Sequence, residues 1–314
     1  MDTSYYLHPQ GGLLTVSGPD QIVFLQRQTT NDVRLLKPGK AILTIMTSPN
    51  ARILDVLHLI SGFPLEGALR AEPAAIWLIT LPGKGSETFR FLKSRIFFMD
   101  KVTIEDHSTT TVQVDLFGPS AADTLQKLGL NQALSINELG TLSVENLECL
   151  ILALEPVIGL GYRLLIPIAV LGSLQSRLDQ LGCKQLTEDK YESARVEAGV
   201  PAAGHELIER YTPLECGLRS AISDSKGCYT GQEVIARQIT YDKVTQTLCG
   251  LASGVLLEQD SELRVDDRPV GFVTSAAQSE KLGPIGLAVI KHPYHLQGTR
   301  LKAGVQDVVV RKLL

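Results

Sequence analysis

Residues 225–237 read Ser-Lys-Gly-Cys-Tyr-Thr-Gly-Gln-Glu-Val-Ile-Ala-Arg. Gly227 and Gly231 bracket Cys228 and Tyr229, and Lys226 stands two residues before the thiol. A cation that close favours thiolate over thiol, and glycine beside a reactive group lets the backbone approach a ligand. Residues 232–237 suit a helix with Thr230 as its cap. Cys228 would then precede a helix N-terminus, where the dipole favours an anion. The competing reading is a buried cysteine in a tight turn, the usual fate of a free cysteine.

The rest of the chain bounds what such a segment serves. A length of 314 residues allows two or three domains, and 44% hydrophobic with 20% charged residues suits a full core. A net charge of −4 argues against a general nucleic-acid coat, which needs a strong basic patch. The opening Met-Asp-Thr-Ser-Tyr-Tyr resembles neither a signal nor a transit peptide. No apolar run reaches the ~18 residues of a membrane span, so no membrane partner is expected. Five widely spaced cysteines, without a Cys-x-x-Cys, fit a reducing, cytoplasmic setting. They give no self-contained metal or cluster site.

Along the chain, 13–17 predicts a strand, Gly18-Pro19 a break, and the residues around Ile22 and Leu25 a helix. Two strands follow at 41–47 and 53–60, joined by turn chemistry at 48–51. The same opening recurs at 111–117, Gly118-Pro119 and Leu125-Gln126, with glycine-to-leucine spacing unchanged. This is a weak internal duplication, 13–60 against 111–166, or else two similar helix starts. A helix is predicted over 86–98, with Phe91, Leu92, Ile96 and Phe97 as a core stripe, then a strand at 102–104. Strands at 150–154 and 162–166 flank a turn at 159–161, and helices run over 171–181 and 191–198, ending at glycine. Past Lys243, short apolar runs alternate with Gly and Asp turns, the pattern of a small β-barrel. The expected fold is α+β, with a body over 1–240 and a β-barrel domain over 241–314.

Lys226 to Glu233, Lys-Gly-Cys-Tyr-Thr-Gly-Gln-Glu, resembles the signature of the YgfZ-type folate-binding proteins, relatives of the glycine-cleavage aminomethyltransferase. The resemblance spans nearly the whole chain. Thr30-Asn31-Asp32-Val33 matches the family's N-terminal block, and Arg195-Val196-Glu197-Ala198-Gly199-Val200-Pro201 its Arg-x-Glu-Ala-Gly-x-Pro. Pro213-Leu214-Glu215 precedes the signature, and Gly271-Phe272-Val273-Thr274-Ser275 matches the barrel motif. Asn50-Ala51-Arg52 departs from the usual Gly-Arg. The resemblance implies a clover-leaf of interleaved α+β domains around a central channel, with the barrel behind. It implies tetrahydrofolate or a derivative as ligand and support of iron–sulfur assembly or repair, including for tRNA-methylthiolating enzymes. Cys228 would be the essential thiol, handling a cluster transiently with ligands from client or assembly proteins.

A reduced pterin presents amino and ring N–H donors that a carboxylate accepts as a charge-assisted pair. Glu197 is the candidate; the alternative is a surface glutamate paired with Arg195. Arg237 meets the folate tail or forms an i,i+4 pair with Glu233. Tyr229 walls the ligand or joins the core. Asn31 lines the channel, while Asp32 caps the loop. The six histidines give no ligand pair along the sequence, and 292–295 reads as a loop. A second hypothesis is a tetrahydrofolate-dependent aminomethyltransferase. Against it, the position matching the catalytic Asp of those enzymes falls near Glu87, one methylene longer, and the preceding Asn block is missing from 81–87. A third hypothesis, direct RNA binding, lacks a basic surface.

Overall fold

The computed structural model describes residues 3–61, 75–154 and 161–313, so part of the turn expected at 159–161 lies outside the described residues. The chain divides into two compact units. The first comprises residues 1–47, 54–186 and 220–230, the second 48–53, 187–219 and 231–314.

In chain order the first unit carries β1 (Ser4–His8), β2 (Leu13–Ser17), α1 (Gln21–Gln28), β3 (Ala41–Thr47), β4 (Ile53–Ser61, whose first residue falls in the second unit) and β5 (Ile76–Ile79). It continues with α2 (Gly85–Ser94), β6 (Thr103–Asp106), β7 (Thr111–Phe117), α3 (Ala121–Leu128), β8 (Leu139–Val144), β9 (Leu147–Leu154), β10 (Gly161–Pro167), α4 (Leu171–Gln180) and β11 (Lys184–Gln185). One sheet runs β3-β4-β5-β2-β6 and the other β11-β1-β7-β10-β9-β8.

Strict alternation explains why both sheets are buried on two faces. Leu13, Trp77, Ile79, Leu150, Leu152 and Leu165 form one core shared by the two sheets. Their sequence neighbours Leu14, Ile76 and Leu78 turn the other way, against Phe24 and Leu25 of α1 and Leu92 of α2. On the second sheet Ile151, Ala153, Leu164 and Ile166 meet Leu125, Leu174 and Leu178 of α3 and α4. The unit is thus two sheets with helices on their outer faces, the layered solution for elements that are apolar on one side.

The second unit opens with α5 (Glu188–Ala198) and α6 (Gln232–Thr240) and continues as β12 (Gln246–Ser253), β13 (Glu262–Val265), β14 (Arg268–Ser279), β15 (Gly283–Lys291), β16 (Arg300–Ala303) and β17 (Gln306–Arg311). The six strands close into a barrel in the order β12-β15-β14-β13-β16-β17. Gly271 is required there, because a Cβ would lie 2.5 Å from the Val289 carbonyl. α5 ends as expected at left-handed Gly199, φ +73°, with the Val200 N–H returned to the Arg195 carbonyl.

Two helix expectations need correction. α2 stops at Ser94, four residues short of the expected end. Phe97 is 63% exposed and leaves the core stripe, although Leu92 is buried as expected. The cap of α6 is Gly231 in the left-handed region, with no side-chain bond, so Thr230 does not cap it. The Thr230 carbonyl accepts from the Thr47 hydroxyl instead.

Candidate functional site

The signature loop belongs to the first unit as far as Thr230. There it is bound to the segment that follows α1. The Thr30 hydroxyl donates to the Ala221 carbonyl at 2.7 Å, and the Ser223 N–H donates to the Thr30 carbonyl at 3.1 Å. Asn31 Nδ2 donates to the carbonyls of Leu43 and Ser220 at 2.9 and 3.4 Å. Asp32 caps the 3-10 turn Val33–Leu35, accepting from the Arg34 N–H, as the sequence indicates. The Arg34 and Gln26 hydrogen bonds hold the Asp32 carboxyl well below the usual carboxylate range against the opposing effect of burial.

Lys226 is buried, and its Nζ donates to the carbonyls of Thr29 and Asn31, the latter at 2.8 Å. Burial pulls its amine down to about 8, against the attraction of Asp32. The amine also lies 5.1 Å from the Tyr229 ring centroid. The donors of Lys226 are thus engaged by backbone carbonyls. The lysine fixes the loop, and Tyr229 is buried beside it. Cys228 is exposed, whereas Cys149, Cys183, Cys216 and Cys249 are buried. Burial pushes the Cys149 and Cys249 thiols up to about 11 and raises those of Cys183 and Cys216. A Cβ at Gly227 would meet nothing within 4 Å, so packing does not demand glycine there.

The second unit holds the other candidates. Arg195, 1% exposed, does not pair with Glu197 as the alternative reading had it. Its guanidinium bonds to Glu192, to the Val200 carbonyl at 3.1 Å and to Ser275 Oγ at 2.8 Å. Fully buried Glu206 lies 3.4 Å away and accepts from the hydroxyls of Thr274 and Ser275. A buried charge set satisfied on every side is a structural joint, here between α5 and β14. Glu197 lies in the last turn of α5, half-buried, with Oε1 accepting from Ser279 Oγ. Among the described residues no hydrogen bond engages Oε2. The carboxylate therefore retains the acceptor capacity that a pterin edge requires.

Arg237 pairs with Glu233 at 2.5 Å, both exposed, the ordinary helix pair. Gln232 opens α6. Glu87, in the first turn of α2, pairs with Lys84 at 2.8 Å. Arg52 donates to the Arg210 carbonyl at 2.7 Å. Among the described residues no group of three or more His, Cys, Asp or Glu is placed to hold a metal. The His292 and His295 rings stack at 4.0 Å, within a turn.

Sequence reasoning missed two buried groups. Asp55 on β4 accepts from the N–H groups of Val56 and Leu81 and from the Thr88 hydroxyl. Burial pushes its carboxyl up to about 7, against those bonds. A carboxylate inside the apolar run Ile-Leu-Asp-Val-Leu was the available signal. Asp115 on β7 takes a bidentate Arg163 at 2.8 and 2.9 Å and His8 at 2.8 Å. Burial raises its carboxyl, but Arg163 and His8 outweigh that and hold it far below the usual range. Burial, with Arg163, pulls the nearby His58 down to about 3.

Comparison with known proteins fits this architecture. "Putative transferase At1g60990, chloroplastic" of Arabidopsis thaliana is 31% identical over 283 residues, covering 89% of this chain and 63% of that protein. Aminomethyltransferases of Thermoanaerobacter sp. (strain X514) and Oceanobacillus iheyensis are 24% and 27% identical, over 96% of this chain and 82% and 81% of theirs. The crystal structure of glycine cleavage system aminomethyltransferase T from Bartonella henselae shares the fold with a TM-score of 0.82 at 20% identity, over 99% of this chain and 86% of that one. Residues 11–226 match the GCVT N-terminal domain and residues 246–312 the glycine cleavage T-protein C-terminal barrel domain, and the chain belongs to that family.

Proposed function

We propose that this chain is a tetrahydrofolate-binding accessory protein of the YgfZ type, supporting iron–sulfur cluster assembly or repair in a reducing, cytoplasmic compartment. Its clients would include tRNA-methylthiolating enzymes. The observation that carries the reading is the state of its cysteines. Cys228 is exposed, on a loop tied down by buried hydrogen bonds, while the other four are buried. A thiol held on a fixed loop suits brief handling of a cluster iron whose remaining ligands come from a partner, since one cysteine alone cannot hold a cluster. Folate, when bound, supplies the one-carbon carrier. Glu197 Oε2 would accept from the pterin edge while Ser279 orients the carboxylate, and Arg237 would meet the glutamate tail by exchanging its pair with Glu233. Asn31 and Tyr229 are tied into the loop and support its shape.

Titration calorimetry with tetrahydrofolate should show binding to wild type and a loss of about tenfold or more for Glu197→Ala, which deletes a charge-assisted acceptor. Absent binding to wild type overturns the folate claim. In a deletion strain, folded Cys228→Ser should fail to restore iron–sulfur enzyme activities, while Ser replacements at the four buried cysteines restore them. Full rescue by Cys228→Ser makes the thiol dispensable and ends the cluster reading. The second reading, a tetrahydrofolate-dependent aminomethyltransferase, is favoured by relatives that bear that name over 96% of this chain. Release of methylene-tetrahydrofolate from an aminomethylated lipoyl carrier, lost in Glu87→Ala, would establish it.

A further inference from the structure

The end of α2 leaves an apolar tip exposed. Phe97, Phe98 and Met99 are consecutive and are 63%, 97% and 73% exposed. Single exposed apolar residues are ordinary, but a contiguous cluster marks a contact surface. The tip is built, not frayed. Asp100 N–H donates to the Phe97 carbonyl at 2.9 Å, and Phe97 N–H donates to Asp100 Oδ2 at 2.9 Å, closing the turn from both sides. Arg27 of α1 anchors it from below, 2.6 Å from Asp100 and 5.5 Å over the Phe97 ring. The Lys101 N–H bonds to Asp20 at 2.8 Å, fixing the exit. The fold thus holds three large apolar side chains out in water.

The charges around the tip identify the partner. Within 90–101 the sequence has four cations, Arg90, Lys93, Arg95 and Lys101, against one anion, Asp100, in a chain whose net charge is −4. Asp100 is already neutralised by Arg27. Lys93 and Arg95 are exposed, with their heads over the Phe89 and Phe91 rings of α2. We propose that this turn binds an anionic lipid surface: Phe98 and Met99 enter the headgroup boundary while Lys93, Arg95 and Lys101 meet lipid phosphates. Aromatic and aliphatic side chains at the interface with basic side chains above them is the arrangement such surfaces bind. A residue 97% exposed stands clear of any groove wall. A protein partner would need on the order of 1,000 Å² of matched surface. That no described helix is long and apolar enough to cross a membrane concerns spanning, not surface contact.

The full chain is sedimented with vesicles of phosphatidylcholine alone and with about one-third phosphatidylserine, at low and high salt. Wild type should sediment with the anionic vesicles and be released by salt. Phe98→Ser/Met99→Ser, both on exposed side chains, should bind about tenfold or more weakly with an unchanged circular dichroism spectrum. Phe98→Trp should show blue-shifted emission on anionic vesicles, above the constant signal of buried Trp77. Three results overturn the proposal: no sedimentation of wild type with anionic vesicles, equal binding by the double Ser variant, or lipid-independent self-association in sedimentation velocity that the Ser variant abolishes. The last would make the tip a contact between two copies of the chain.

Discussion

Two stretches of the first unit are built alike, and the difference between them separates scaffold from site. β2-α1-β3-β4 and β7-α3-β8-β9 have the same element order. Gly18 and Gly118 open the helices at φ +109° and +118°, and their carbonyls accept from Gln21 and Ala121 N–H at 3.1 and 3.0 Å. The buried helix positions coincide at an offset of one hundred: Gln21, Phe24, Leu25 and Gln28 against Ala121, Thr124, Leu125 and Leu128. The helix exits then part. α3 closes on Gly129 in the left-handed region, the ordinary glycine cap. α1 closes on extended Thr29 and continues into Thr30, Asn31 and Asp32, whose backbone and side chains hold the signature loop. Up to residue 28 the first stretch is framework; from 29 on it diverges, and there the candidate site begins.

If the two helices are equivalent framework, Leu25→Ala and Leu125→Ala should cost similar amounts. Both leucines are fully buried, and cavity-forming changes of this kind cost about 2–5 kcal/mol. Denaturant unfolding of the two variants tests this. A loss at Leu125 under half that at Leu25, or the reverse, would show that one helix is an accessory.

A second difference lies in the strands. β4 carries fully buried Asp55, whereas the buried positions of β9 carry no carboxylate. The folded pKa of Asp55, about 7, stands above its ordinary 3.8. The native state therefore holds a proton that the unfolded chain releases between pH ~4 and ~7, so stability is highest below that window and falls as pH rises through it. The gap is worth at most about 4 kcal/mol. Asp55→Asn can keep the Val56 and Leu81 bonds and let Thr88 reverse its hydroxyl, so this slope should vanish. Urea unfolding at several pH values checks it; wild-type and variant curves of equal slope would remove Asp55 as the source.

The apolar runs at 13–17 and 150–154 made the strands legible but not their two buried faces, and the Gly-Pro openings and glycine stops placed α1, α3, α4 and α5. The end of α2 was not legible, because Phe97 and Phe98 continue an apolar pattern that the fold leaves in water. Of the site, the signature and the cap at Asp32 were readable locally. The partners of Lys226 were not: they are carbonyls of Thr29 and Asn31, 197 and 195 residues away, and a carbonyl leaves no mark in a side-chain pattern. The environment of Arg195 was hidden by sequence distance, its side-chain partners Glu206 and Ser275 lying 11 and 80 residues on.

Lys226→Met tests whether the divergent exit of α1 is held by the loop. The change strands two carbonyls but also removes a partly desolvated cation, so the net loss should be about 1–3 kcal/mol. Hydrogen exchange should quicken at the Ser223 N–H, which bonds to Thr30, and stay unchanged at Gly129 in the counterpart stretch. Equal quickening at both would mean global destabilisation and break the local account.

The smallest effect is expected where the two stretches turn. β8 and β9 join through Glu145 and Asn146, at φ +51° and +66°, a two-residue turn of the kind that matches strand twist. Between β3 and β4, Ala51 takes φ +57°, the left-handed conformation that glycine adopts freely. The turn is intact all the same: the Ala51 N–H donates to the Ser48 carbonyl at 2.9 Å and the Arg52 N–H to Ser48 Oγ at 3.2 Å. Ala51→Gly removes a backbone strain of about 1–2 kcal/mol. Against that stand about 0.4–1 kcal/mol of extra chain entropy in the unfolded state and about 0.8 kcal/mol for the lost methyl, which is fully buried here. The terms nearly cancel, so the stability of Ala51→Gly should lie within about 1 kcal/mol of wild type by denaturant unfolding. A loss above about 2 kcal/mol would mean that the methyl packs more tightly than its strain costs, and that alanine is there for the core rather than tolerated by the turn.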